Sequence, residues 1–79
     1  MKFFCVMAEI YKDRYSGTKQ AVIERSYTVK PKNQYRQLDG MAAFKIWLTS
    51  EADANELCEG IKTGDIGIST LLDAMGVAA

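Results

Sequence analysis

AAFKIWLTSEADANELCEGIK, residues 42–62, decides the fold class, because the spacing of its apolar side chains changes partway along. Over 42–49, Phe44, Ile46 and Leu48 alternate with Lys45, Trp47 and Thr49, the period of two that places one side of a strand inward. From Ser50 the period lengthens. Ala54, Leu57, Cys58 and Ile61 fall at i, i+3, i+4 and i+7, one face of a helix. Ser50 and Asp53 form a capping box with Asp in place of Glu, and Glu51 and Asp53 suit the positive end of a helix dipole. Gly60 or Gly64 ends this helix.

Downstream, a KTGDIG linker precedes a second helix over about 67–75, where Ile68, Leu71, Leu72 and Met75 repeat the helical spacing and Gly76 caps the end. Val77, Ala78 and Ala79 are expected to fray. Upstream, residues 2–12 read as a strand with Phe4, Val6, Ala8 and Ile10 on one side. Phe3, Cys5 and Met7 make its other side apolar too, so this strand is central in a sheet or covered by another chain. Residues 13–19 form a turn around Gly17.

A second strand follows at about 20–30, with Ala21, Ile23, Tyr27 and Val29 on its buried side and Glu24, Ser26, Thr28 and Lys30 toward solvent. Pro31 stops the ladder, and PKNQYRQLDG, residues 31–40, is a polar connection ending in an Asp-Gly turn. Strands followed by helices define an α+β layer: a three-stranded antiparallel meander, then two short helices packed on one face, in a single domain spanning 1–79.

A chain of 79 residues has a small core, so both a monomer and a homodimer are compatible with it. No run approaches the ~20 apolar residues of a membrane span. The opening MKFFCVMAEI reaches Glu9 too soon for a signal peptide and reads as a strand, which places the protein in the cytoplasm. Cys5 and Cys58 sit among apolar neighbours and are expected to be reduced and buried; a pairing between them is left open by the sequence.

Histidine is absent, which removes the commonest general base and transition-metal ligand. No nucleophile lies at a recognisable spacing from a base, so the chain is read as no enzyme, with no metal site and no cofactor. Glu51, Asp53, Glu56 and Glu59 are read as the solvated face of a helix, not as an acid–base pair or calcium loop. GIKTGDIG, residues 60–67, holds a Lys-Thr pair, but Ile61 stands where a P-loop needs glycine. An anion at the second helix's amino terminus is the weaker reading of that stretch, against a plain helix–helix connection.

The charges divide by position. Residues 1–38 carry eight bases and three acids, and residues 39–79 carry two bases and seven acids, so a neutral chain has halves of +5 and −5. The acids at the helix start have a local reason in the dipole. The bases have none, and Lys12, Arg14, Lys19 and Arg25 around the first hairpin tip are interleaved with tyrosines, a combination common at interfaces. The candidate partner-binding residues are therefore Lys12, Arg14, Tyr15, Lys19, Arg25, Lys30, Lys32 and Arg36. Trp47 is a further anchor if its side of the strand is uncovered.

In length, in the MKFF strand start, and in the Ser50-led helix followed by GIKTGDIG and a short helix ending near Met75, the chain resembles the small phage-encoded anti-CRISPR inhibitors. The resemblance implies a non-enzymatic protein that binds a subunit of a larger nucleoprotein machine, often in competition with nucleic acid. It assigns no individual residue. The expected partner is thus a protein. The alternative is a small nucleic-acid-binding protein using the basic hairpin, against which the net charge of zero weighs.

Overall fold

Phe4, Val6, Ala8 and Ile10 alternate along β1 (Lys2–Tyr11) and turn toward the core, while Phe3, Cys5 and Met7 turn the other way. A strand apolar on both sides belongs in the middle of a sheet, and β1 lies between β2 (Thr18–Ser26) and β4 (Met41–Leu48). β3 (Gln34–Leu38) pairs with the far side of β4, giving an antiparallel sheet in the order β2-β1-β4-β3. The computed structural model describes residues 1–12 and 18–76. Residues 13–17, which hold the candidates Arg14 and Tyr15 and most of the turn expected over 13–19, and the carboxy-terminal 77–79 lie outside the described residues.

The expectation of α+β architecture holds, but the sheet has four strands and is not a meander. Residues 34–38 are strand, not loop. QYRQL is an edge strand that turns only Tyr35 toward the core, so its polar composition hides it. A two-residue turn joins it to β4, with Leu38 opposite Met41 and Gly40 at φ 74°. Because β2 and β3 occupy opposite edges, the connection over 27–33 crosses the ends of β1 and β4.

The second strand also ends earlier than its composition indicates. It stops at Ser26, and Val29 is 74% exposed in the crossing connection. Its inward residue is Val22, opposite Val6, whereas Ala21 and Ile23 point away from the helices. Three successive apolar residues, Ala21, Val22 and Ile23, make either side acceptable. The ladder to β1 selects between them.

The helices follow their sequence signals. α1 (Glu51–Thr63) starts at Ser50, whose hydroxyl accepts from the Asp53 amide at 3.3 Å. It ends at Gly64, where a φ of 85° lets the amide turn back to the Ile61 carbonyl at 3.3 Å. α2 (Ile68–Met75) ends at Gly76 in the same left-handed conformation. Ala54 and Ile61 from α1, with Leu71 and Leu72 from α2, are buried against Phe4, Val6, Ala8, Ala42, Phe44 and Ile46. Leu57, Cys58, Ile68 and Met75 pack at the margin. Both helices therefore cover one side of the sheet, and α1 lies over β1, β2 and, less, β4.

Candidate interaction surface

The strand pairings lay out the uncovered side of the sheet row by row. One row reads Lys19, Glu9, Ala43, Arg36 across β2, β1, β4 and β3. The next reads Ala21, Met7, Lys45, Gln34. Beyond it come Ile23, Cys5 and Trp47, and then Arg25 beside Phe3. No helix residue reaches this side, because the cluster that holds the helices consists of the oppositely directed residues.

The connection over 27–33 closes one end of the face. The Tyr27 amide donates to the Met1 carbonyl at 3.0 Å, and the Tyr27 ring meets Trp47 edge to face, with centroids 5.6 Å apart and planes at 82°. At the other end of the connection, the Asn33 side-chain oxygen accepts from the Trp47 amide at 2.8 Å. Phe3 and Cys5, at this end, are 2% and 3% exposed although no helix covers them. Burial pushes the Cys5 thiol above its ordinary pKa of 9.0, and the nearby Lys45 and Arg25 charges pull partly the other way. Cys58 sits in α1 on the other side of the sheet, and both thiols are free. The open pairing question is settled by this placement.

Among the described residues nothing covers the rows of Lys19 and Met7, which form a shallow trough of about 830 Å³ across all four strands. Small or flexible side chains, Ala21, Met7 and Ala43, make its floor, and Lys19, Lys45 and Arg36 stand along it. Among the described residues, Glu9 is the acid that lines it. The Glu9 carboxylate accepts from the Tyr11 hydroxyl at 2.8 Å, a bond that raises the Tyr11 pKa and draws the carboxylate toward the Tyr11 end of β1. On the helices, Glu51, Asp53, Glu56, Glu59 and Asp73 are all exposed, as is Asp65 in the connection between them. The trough thus gathers Lys19, Lys45 and Arg36 on one side of the sheet, while the acids of the helix layer lie on the other.

Not every candidate base belongs to that trough. Lys19 and Arg36 line it. Arg25 lies on the same side but at the end of β2 away from Thr18, beside Phe3, with its guanidinium donating to the Glu24 carbonyl at 2.9 Å. It is not a hairpin-tip residue, because six positions of extended chain separate it from Lys19, about 20 Å. Lys30 and Lys32 are exposed on the crossing connection. Lys12 leaves β1 with its amide donating to the Gly40 carbonyl at 3.0 Å. Lys45 was not among the candidates, yet it stands in the middle of the trough, and its alternation with Phe44 and Ile46 was the available signal.

Among the described residues, no group of three or more His, Cys, Asp or Glu is placed to hold a metal ion, and no helix is long and apolar enough to cross a membrane. The chain matches no known protein family, no curated protein and no solved structure.

Proposed function

We propose that this chain is a non-enzymatic interaction module that docks the uncovered side of its sheet onto a protein partner. In this reading it is an inhibitor of the kind it resembles, the small phage anti-CRISPR proteins, held against a subunit of a nucleoprotein machine. It acts in the cytoplasm, where its two free thiols stay reduced. The single observation that supports the reading is the trough itself: a cationic surface with an apolar floor that the fold does not use for its own core. Surfaces that combine apolar anchors with arginine and lysine are common at protein interfaces.

The test is co-elution of the purified chain with purified CRISPR effector complexes, together with the effect on their target-DNA binding. The wild type is expected to co-elute and to reduce target binding, and the double variant Lys45→Glu, Arg36→Glu to lose both while unfolding at an unchanged temperature. Equal co-elution of the two proteins would remove the trough from the interface. Co-elution of neither would remove the inhibitor reading.

The second reading, nucleic-acid binding, draws on the gathering of bases on one side. Its expected signature is tight binding to single-stranded DNA or RNA that falls steeply with salt. Two features weigh against it. Glu9 interrupts the cationic row, and the Tyr27–Trp47 contact occupies a ring face that a base would need for stacking.

A further inference from the structure

The trough has a length and a charge order that restrict what can lie in it. Lys19 and Arg36 stand in one row on the two edge strands, with β1 and β4 between them. Neighbouring strands are about 4.8 Å apart, so three gaps separate the two bases by about 14 Å. An extended peptide rises about 3.4 Å per residue, so residues i and i+4, which point the same way, are separated by nearly the same length. Between the bases in that row stand Glu9 on β1 and Ala43 on β4; Met7, one row on, extends the apolar floor, and Lys45 beside it adds a second cation on the Arg36 half.

We infer that the occupant of the trough is an extended segment of a protein partner with acidic side chains at i and i+4 and an apolar side chain at i+2. The inference rests on the docking reading above and names the chemistry of the docked segment. The first carboxylate pairs with Lys19, the apolar side chain rests on Met7 and Ala43, and the second carboxylate lies between Arg36 and Lys45. The Tyr11 hydroxyl holds the Glu9 carboxylate toward Tyr11, on the side of Glu9 away from Met7. A nucleic acid strand fits less well, because a phosphate at every nucleotide brings charge over the apolar floor and next to Glu9. A second copy of this chain presents a cationic trough or an acidic helix layer, and like charges oppose the first arrangement.

The test uses the intact chain and blocked synthetic peptides, read by amide chemical shifts of the isotope-labelled protein. The probes are Glu-Ser-Leu-Ser-Glu, the same peptide with serine in place of leucine, and Lys-Ser-Leu-Ser-Lys. Oligothymidylate is the nucleic-acid arm. The acidic leucine peptide is expected to shift the amides of Met7, Ala43 and Lys45 saturably and to leave α1 unmoved. Removing the leucine should weaken it about threefold or more, and Lys19→Glu or Arg36→Glu each by about fivefold or more, in line with exposed charge pairs that each contribute a few-fold.

Equal binding of the acidic and basic peptides, no saturable shift with the acidic leucine peptide, or tighter trough binding by oligothymidylate at matched salt would each overturn the inference. Unfolding curves of the variants separate lost contacts from lost structure. If the peptides fail while Lys45→Glu, Arg36→Glu still abolishes co-elution with an effector complex, the docking face stands and only the chemistry of its occupant is wrong.

Discussion

Ile66 lies where a side chain at position 60 would have to go. A Cβ added to Gly60 would stand 2.5 Å from Ile66 Cδ1 and 2.8 Å from Cγ1, and the Ile66 amide donates to the Gly60 carbonyl at 3.0 Å. Gly60 therefore sits inside α1 so that the chain leaving the helix can fold back on it, and the cap belongs to Gly64.

The first prediction follows from that contact. Alanine for glycine within a helix ordinarily stabilises by about 1 kcal/mol. Here the displaced Ile66 reverses the sign, and Gly60→Ala is expected to cost about 1 kcal/mol net, overpacking costing about 1–3 kcal/mol. In an Ile66→Ala background the same substitution should become stabilising. Urea unfolding of the four proteins in the cycle measures the coupling. Additive effects would show that the contact is not what holds glycine there.

The Asn33–Trp47 bond predicts a cost specific to the acceptor. Asn33→Ala leaves the Trp47 amide without its 2.8 Å partner and should destabilise by about 1 kcal/mol. Asn33→Asp keeps an acceptor oxygen and should cost well under half as much. Faster hydrogen exchange at the Trp47 amide in the alanine variant alone is the accompanying observation.

Ser50 provides a similar test at the start of α1. Ser50→Ala removes the oxygen that accepts from Asp53 and should cost about 1 kcal/mol, whereas Ser50→Asp should leave stability nearly unchanged. Thermal unfolding monitored by circular dichroism distinguishes them. An equal loss in both would place the cost in something other than the cap.

Cys5 predicts an alkaline dependence. Its thiol pKa is raised in the folded protein, so the neutral form is favoured there and the unfolded chain ionises first. The corresponding stability is fully present below the unfolded value of about 9 and is lost as pH rises from there through the folded value. Cys5→Ala should flatten the stability profile above pH ~9. In the folded protein a thiol reagent is expected to modify half-buried Cys58 before buried Cys5; the reverse order would contradict the placement of the two thiols.

Local chemistry by itself determined the helices of this protein. Ser50, the apolar positions 54, 57, 58 and 61, and the glycines at 64 and 76 act within one or two turns of chain, so their consequences can be read along it. The two apolar sides of β1 were legible too and left two readings, a central strand or a strand covered by another chain; the sheet order makes it central. The basic and acidic halves of the chain were equally plain, and so was the outward side of Lys45 and Trp47.

Tertiary structure alone decided the rest. QYRQL has too little apolar pattern to declare itself a strand, and only the free edge of β4 makes it one. Ala21, Val22 and Ile23 allow either side of β2 to face the core, and a one-residue change of register would exchange those sides. Most of all, the trough joins Lys19, Arg36 and Lys45 from three strands. Side chains so far apart in sequence become neighbours only through the order β2-β1-β4-β3, which long-range pairing sets and no short stretch of sequence contains.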